Sequence, residues 1–226
     1  FAHAIPQAEL MRRYGCDRVV KSAAECLAIE PSLAGSTVPI VGGTYTAEDE
    51  SGDARKFATE LARKAAERGV AFRFDAAIES IEAAGGKVTG VRLAGGERLS
   101  ADAYVVALGS FSPLLLKPLG IGIPVYPAKG YSATVPLDSG DTAPMVSLTD
   151  DGRKIVFSRL GDRLRIAGTA EFTGYDTSLN EVRCQALVRR MGALFPSLAG
   201  RGGIEFWAGL RPATPSNIPY IGATRY

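Results

Sequence analysis

Histidine is nearly absent from the sequence: the single one, His3, stands beside the first residues of the chain. Hydrolases of the Ser-His-Asp or Cys-His type need a histidine held firmly next to the nucleophile. A side chain so close to a terminus is usually poorly ordered. The sequence therefore argues against this class of enzyme.

Cysteine is scarce as well. Cys16, Cys26 and Cys184 are odd in number, far apart and without a CxxC pair. Disulfide frameworks and zinc sites both need cysteines in closer, paired spacings. We therefore predict neither a disulfide framework nor a metal site, and a reducing compartment. Cys184 falls on the apolar side of a predicted helix, which favours plain core packing.

Neither sign of charge is in excess, because 26 Lys and Arg residues offset 24 Asp and Glu residues for a net charge of +2. A nucleic-acid-binding protein needs a strongly basic face, so we predict no nucleic-acid partner. Long apolar runs are also missing. The longest, residues 103–108, is far shorter than the roughly 20 residues of a membrane span.

The common phosphate-binding motifs are absent too. No GxGxxG or P-loop occurs, and Gly120-Ile-Gly122 is followed by a predicted strand, whereas a pyrophosphate site needs the N-terminus of a helix. The Gly130-Tyr-Ser132 phrase lacks the second glycine of a nucleophile elbow. Any nucleotide site must therefore be built differently within these residues.

The first half of the chain alternates helices and strands. Helices are predicted at residues 6–14, at 22–30 with a Ser22-x-x-Glu25 capping box, and at 53–68. Short strands are predicted at 70–74, 77–82, 87–93 and 102–108. The last strand is apolar at consecutive positions, as in a strand covered on both faces. This order is typical of one half of an α/β nucleotide-binding domain.

The pattern changes after Pro124. Alternating strands at 125–135, 145–148, 153–159 and 163–169 predict an antiparallel sheet. Ser178-x-x-Glu181 predicts the start of a helix that runs to about residue 195, with Cys184 on its apolar face. A final segment, 204–222, contains the lone Trp207. A chain of 226 residues can hold one large domain or two small ones.

Two residues are candidates for ligand binding. Gly109 ends the apolar strand at 102–108, where a missing side chain allows a ligand to approach; the alternative is an ordinary turn. Arg211 is followed by Pro212 in a proline-rich segment, and its planar guanidinium suits a carboxylate; the alternatives are an arginine that caps a loop and an ion pair with a structural acid. Trp207 is predicted to pack in the core or between domains; the alternative is a flat surface against a cofactor. Aromatic side chains at 131, 157 and 175 either line a pocket or belong to the core.

Three phrases resemble the FAD-dependent D-amino-acid oxidase superfamily, and within it the bacterial D-amino-acid dehydrogenase small subunits. They are Ala101-Asp-Ala-Tyr-Val-Val-Ala-Leu-Gly-Ser110, Val125-Tyr-Pro-Ala-Lys-Gly-Tyr-Ser132 and Gly209-Leu-Arg-Pro-Ala-Thr-Pro215. The resemblance covers nearly the whole chain in the same order. Both the family's N-terminal dinucleotide fingerprint and its C-terminal glycine-rich flavin segment lie outside these residues. Since the chain also starts with Phe1 and ends at Tyr226 in a strand-like stretch, we expect a fragment of a longer protein, inactive alone.

The resemblance implies an α/β (α+β) fold, in which part of a glutathione-reductase-like FAD-binding domain is interleaved with an antiparallel-sheet substrate domain. Residues 45–124 and 205–226 would belong to the FAD side, and 1–44 and 125–204 to the substrate side. It further implies that Ile78 and Gly109 contact FAD, and that Arg211 and Tyr131 bind the substrate. An aromatic residue that related amine oxidases place near position 155 is Ile155 here, so a second substrate anchor is unassigned.

The implied activity is oxidative deamination of D-amino acids to 2-oxo acids and ammonia. The flavin performs the hydride transfer, so no catalytic acid or base is assigned. Electrons would pass to a quinone or another respiratory carrier, which implies a cytoplasmic protein in peripheral contact with the inner membrane. Two alternatives are open: an amine oxidase of the glycine or sarcosine oxidase type, and a folded module without activity.

Overall fold

The computed structural model describes residues 1–226, a mixed α/β fold as the sequence predicts. The α-helices are α1 Ala4–Arg13, α2 Ala23–Ile29, α3 Ala54–Ala66, α4 Ser112–Leu116 and α5 Glu181–Leu194. The strands are β1 Arg18–Lys21, β2 Gly43–Thr46, β3 Ile78–Ala84, β4 Lys87–Leu93, β5 Arg98–Leu99, β6 Tyr126–Pro136, β7 Leu148–Asp150, β8 Ile155–Leu160, β9 Arg163–Glu171 and β10 Glu205–Ala213. None of the helices is both long and apolar enough for a bilayer crossing.

The strands form three sheets. β1 pairs with β2, the order β3-β4-β5 makes a second sheet, and the order β10-β6-β9-β8-β7 makes a five-stranded one. The β3–β4, β4–β5, β7–β8 and β8–β9 pairings are antiparallel. The antiparallel sheet predicted after Pro124 is therefore present, with β10 added as an edge strand.

The chain divides into two compact units. Unit 1 contains Phe1–Phe57, Gly130–Ala170 and Ser178–Ala208, and unit 2 contains Ala58–Lys129, Glu171–Thr177 and Gly209–Tyr226. Both units are discontinuous in sequence. The interleaved arrangement that the family resemblance implies, with its own boundaries, stays a prediction.

The core of unit 1 lies between α5 and the five-stranded sheet. The apolar face predicted for α5 is confirmed, since Cys184, Leu187 and Met191 are at most 1% exposed. Phe157 of β8 meets Phe195 edge to face, with ring centroids 5.5 Å apart. Burial raises the pKa of the Cys184 thiol, so the residue stays protonated and behaves as an apolar core side chain.

Two of the predicted capping motifs can be compared with the structure. At α2 the Ser22 hydroxyl accepts a hydrogen bond from the Glu25 amide, and the Glu25 carboxylate accepts one from the Ser22 amide, as predicted. At α5 the prediction of Ser178 as the cap is wrong. The cap is Asn180, whose Oδ1 accepts hydrogen bonds from the amides of Val182 and Arg183.

Replacing Asn180 with alanine should lower the free energy of unfolding by about 1 kcal/mol, because two amides at the start of α5 lose their acceptor. Asn180→Asp should retain the wild-type value, since aspartate caps helices equally well. Urea unfolding of the three chains measures the difference. Equal stability of the alanine and aspartate variants would contradict this assignment of the cap.

Two predicted strands are wrong, and the strand predicted at 145–148 lies instead at Leu148–Asp150. Residues 70–74 and 102–108 are not strands, and their apolar side chains reach solvent, with Phe74 78% and Val105 90% exposed. A strand needs a neighbouring strand for its backbone groups, and neither segment pairs with one. The apolar side of α3 is likewise exposed, with Phe57 at 70%. An apolar sequence shows that a segment is suited to a buried strand. Whether it is buried depends on other residues that pair with it or pack against it.

Candidate functional site

The candidate site is built around the 3₁₀ helix Gly109–Phe111 in unit 2, here called the Gly109 turn. Gly109 has φ +54°, in the left-handed region that favours glycine. A Cβ atom added there would lie 3.7 Å from Pro212 Cγ, an ordinary contact. Backbone conformation therefore explains the glycine, and the structure brings Gly109 next to the residue that follows Arg211.

Ser110 connects this turn to β10. It is 3% exposed, and its hydroxyl donates a hydrogen bond of 3.4 Å to the Leu210 carbonyl. The Ser110 carbonyl in turn accepts a 3.0 Å hydrogen bond from the Tyr175 hydroxyl. The Tyr175 ring lies 5.2 Å from the Phe111 ring, centroid to centroid. The two sequence-predicted residues Gly109 and Arg211 are thus neighbours of one hydrogen-bonded assembly.

Arg211 lies in β10, and its side chain is exposed with neither an ion pair nor a hydrogen bond. Other arginines of the chain are used structurally: Arg201 pairs with Asp138 and Asp141, and Arg190 with Asp150. The alternative that Arg211 neutralises a structural acid is therefore not what the structure contains. Its guanidinium is available for a carboxylate ligand, which it can bind through two parallel hydrogen bonds.

Ile78 is the first residue of β3, in the same unit as the Gly109 turn. It is 39% exposed, and it pairs with Leu93 just before an irregularity that precedes Ser80. The helix that follows the Gly109 turn, α4, lies against β3. The structure thus places both predicted FAD contacts within unit 2, where their roles remain predictions.

The remaining predicted residues belong to unit 1. Tyr131 is 2% exposed and part of the hydrophobic core, as is the fully buried Phe157. The role of Tyr131 in substrate binding stays a prediction. Core packing is wrong for Trp207, which is 58% exposed, and the Arg165 guanidinium lies 5.6 Å from the centre of its ring. A cation next to the ring face is attracted electrostatically by the ring.

Geometry at Gly109 and Ile78 fits a dinucleotide such as FAD. Gly109 is exposed and lacks a side chain, so a ligand can contact its main chain, and Ile78 at the start of β3 is 39% exposed. Backbone groups at strand ends and tight turns commonly bind nucleotides in α/β folds. The residues present would therefore contribute contacts to such a cofactor.

Two other kinds of site that a protein can offer are a metal site and a cavity. No group of three His, Cys, Asp or Glu side chains is arranged to hold a metal ion. A cavity of about 400 Å³ in unit 1 is lined by Arg153, Arg189 and Arg190 and by the apolar Ile155, Ala186 and Ala193. None of the sequence-predicted site residues lines it.

Sequence reasoning missed the ion pairs of Lys129. This β6 lysine has a side chain only 2% exposed, and its Nζ lies 3.0 Å from both Glu171 Oε2 and Asp176 Oδ2. A signal was present, because Lys129 stands inside a predicted strand between small and aromatic residues. A charge in such a position must be paired when the strand is buried.

Comparison with known proteins gives consistent results. The family model described as "DAO: FAD dependent oxidoreductase" matches residues 2–226. A D-amino acid dehydrogenase of Dechloromonas aromatica (strain RCB) is 58% identical over 230 residues, covering 100% of this chain and 55% of that protein. A D-amino acid dehydrogenase of Paramagnetospirillum magneticum is 50% identical, covering 99% of this chain and 53% of that protein. The chain thus spans about half the length of these relatives.

Solved structures share the fold. A glycine oxidase from Geobacillus kaustophilus superimposes with a TM-score of 0.85 at 24% identity, covering 98% of this chain and 58% of that one. An L-proline dehydrogenase from P. horikoshii gives a TM-score of 0.77 at 20% identity, covering 96% of this chain and 58% of that one. At such identities the likeness establishes the architecture and leaves the substrate undetermined.

Proposed function

The chain belongs to the DAO family of FAD-dependent oxidoreductases, and we propose that it contributes part of the active site of an enzyme that oxidises D-amino acids. Relatives 58% and 50% identical over essentially the whole chain are named D-amino acid dehydrogenases, which supports this substrate class. One structural observation carries the proposal: the exposed, unpaired Arg211 next to the Gly109 turn. An amino acid always presents a carboxylate, and this is the ligand that such an arginine binds best.

The reaction requires little acid–base chemistry from the chain. A D-amino acid loses a hydride from Cα and a proton from nitrogen, and water hydrolyses the resulting imino acid to a 2-oxo acid and ammonia. FAD, when bound, supplies the redox chemistry by accepting the two electrons with the hydride. The protein residues have to hold the substrate so that one face of Cα is presented.

Arg211 performs the holding in this proposal. Its two-pronged contact with the carboxylate fixes one end of the substrate, and further contacts to the amino group and the side chain would select the enantiomer whose Cα–H bond is directed toward the oxidant. Pro212 follows it and is limited in φ, which restricts the backbone beside the arginine. Ile78 and Gly109 would contact FAD through their main chain, and Tyr131 would contribute to the substrate side.

The assignment of segments is part of the proposal. Residues 45–124 and 205–226 would form the FAD-binding part, and residues 1–44 and 125–204 the substrate part. We further propose that electrons leave to a quinone or another respiratory carrier, which requires peripheral contact with the inner membrane. A dehydrogenase of this type would reduce a quinone analogue and produce little peroxide in air.

The test uses a polypeptide of the relatives' length that contains this chain, mixed without oxygen with D-alanine, L-alanine or sarcosine. We expect D-alanine alone to bleach the absorbance of the oxidised flavin. Bleaching by sarcosine, with peroxide in air, would instead assign a glycine or sarcosine oxidase. If none of the three compounds bleaches the flavin, the proposal is wrong.

A second expectation concerns the 226 residues by themselves. They contain no GxGxxG phrase at a helix N-terminus for the pyrophosphate, so the isolated chain should remain colourless after mixing with FAD and gel filtration. The longer polypeptide, treated identically, should retain the yellow colour. A yellow isolated chain would contradict this division of the cofactor site. A longer polypeptide that is also colourless would favour the module without activity.

A further inference from the structure

Lys129 holds a short segment of unit 2 in place. Its Nζ lies 3.0 Å from Oε2 of Glu171, the last residue of β9, and 3.0 Å from Oδ2 of Asp176. A buried ammonium is costly unless carboxylates replace its lost hydration. The two carboxylates stand near the two ends of residues 171–177, here called the 171–177 segment. One buried charge therefore fixes both ends of this segment.

Aromatic contacts fix the segment further. Phe172 packs against Tyr126 of β6 with ring centroids 5.8 Å apart, and Tyr175 packs against Phe111 at 5.2 Å. Tyr175 directly precedes Asp176, so the ion pair with Lys129 restricts the position of the tyrosine. Its ring and its hydroxyl both contact the Gly109 turn, the ring at Phe111 and the hydroxyl at the Ser110 carbonyl.

From Tyr175 the hydrogen bonds continue to the residue before the arginine. The Tyr175 hydroxyl donates to the Ser110 carbonyl at 3.0 Å, and the Ser110 hydroxyl donates to the Leu210 carbonyl at 3.4 Å. Leu210 is the residue before Arg211. Arg211 itself has no side-chain partner that could orient it, so its direction depends on how firmly the backbone of β10 is held at this point.

We propose that Tyr175, held by Lys129 through Asp176, is a positioning residue for Arg211. The tyrosine fixes the Gly109 turn against β10 and so sets the direction in which the guanidinium is presented. This inference rests on the proposed function, in which Arg211 binds the carboxylate of the substrate. Neither Tyr175 nor Lys129 takes part in the chemistry.

Tyr175→Phe tests the proposal with minimal disturbance, because it keeps the ring against Phe111 and removes only the hydroxyl. In the polypeptide of the relatives' length, we expect KM for D-alanine to rise by about twofold to tenfold, as for one lost hydrogen bond. The inhibition constant of propionate, a simple carboxylate, should rise by the same factor. The kcat value and the flavin content should be retained, since uniform binding alone is weakened.

Tyr226→Phe is the matched control. The Tyr226 hydroxyl also donates to a backbone carbonyl in unit 2, that of Leu119 at 2.9 Å, outside this network. Its loss should leave KM and the propionate constant unchanged. Asp176→Asn should reproduce the Tyr175→Phe pattern more weakly, because Lys129 keeps Glu171 as a partner. It serves in place of Lys129→Met, which would leave two carboxylates without their cation and is expected to fold poorly.

Two outcomes would overturn the inference. Tyr175→Phe could lower the thermal midpoint or the flavin content while KM and the propionate constant stay at wild-type values, which would make the contact merely structural. The second outcome is that Tyr175→Phe raises KM by the same factor in the Arg211→Lys variant as in the wild type. If Tyr175 acts by positioning Arg211, the two residues are coupled and the rise should be smaller in Arg211→Lys. Arg211→Ala separates this from the proposed function. If KM is unchanged in Arg211→Ala, the proposed function itself is wrong. If KM rises in Arg211→Ala but stays at the wild-type value in Tyr175→Phe, only the positioning role is wrong.

Discussion

Replacing Arg211 with alanine should lower kcat/KM for D-alanine by about 30-fold to about 5,000-fold, with most of the change in KM. The range corresponds to the loss of a charge-assisted pair, on the order of 2–5 kcal/mol. Arg211 is exposed and has no hydrogen-bond or ion-pair partner within the chain, so the substitution breaks neither kind of structural contact. Steady-state kinetics of the longer polypeptide measures the effect, and the flavin absorbance verifies that the cofactor stays bound.

Arg211→Lys and Arg12→Ala complete that experiment. Lysine keeps the charge and loses the planar two-pronged geometry, so its KM should lie between those of the wild type and the alanine variant. Arg12 is another exposed arginine without a side-chain partner, on α1, and its loss should leave the kinetics unchanged. An unchanged KM in Arg211→Ala would remove the arginine from the substrate site.

Elements with a repeating local pattern were predictable from the sequence. The apolar face of α5 repeats at helical spacing around Cys184, and β4 follows a glycine turn and begins and ends where predicted. In both cases the residues that specify the element are near one another in the chain. The cap of α5 was misplaced by two residues, because Ser178 and Asn180 are both good caps and only the backbone geometry chooses between them.

Segments that depend on a distant partner were not predictable. Residues 102–108 have the composition of a covered strand, and yet Val105 is 90% exposed. The β1 strand was missed for the opposite reason: Arg18–Lys21 has little apolar pattern, and its pairing with β2 gives it strand geometry. Sequence composition reports the preference of a segment, whereas pairing is decided by which other residues are present beside it.

The candidate site shows the same division. Gly109 and Arg211 could be singled out because glycine after an apolar stretch and arginine before proline are visible locally. In the structure, however, Gly109 lies next to Pro212, the residue after Arg211. The hydrogen bonds from Tyr175 to Ser110 and from Ser110 to Leu210 likewise join residues that are far apart in the sequence. Hydroxyl-to-carbonyl bonds of this kind leave no residue-type signature, because every residue carries a carbonyl.

Glu30 is, beside Lys129, a second buried charged residue that the sequence did not reveal, because it stands at the end of a predicted helix. It is 2% exposed, and its carboxylate accepts three backbone hydrogen bonds. Oε1 accepts from Ser32 at 3.1 Å, and Oε2 accepts from Met145 at 2.7 Å and from Val146 at 3.0 Å. This one side chain thus connects the end of α2 to the stretch before β7, within unit 1.

Glu30→Ala should lower the free energy of unfolding by about 3–5 kcal/mol, because three amides lose a charged acceptor in a place that water does not reach. Glu30→Gln should lose about half as much: its carbonyl can replace Oε2 and keep two bonds, but its amide group would then face the Ser32 amide, donor against donor. Urea unfolding with an unchanged m value measures both. Glu48 is exposed, so Glu48→Ala should change stability by less than about 0.5 kcal/mol. If glutamine were as destabilising as alanine, the charge of Glu30 would matter more than the number of its acceptors.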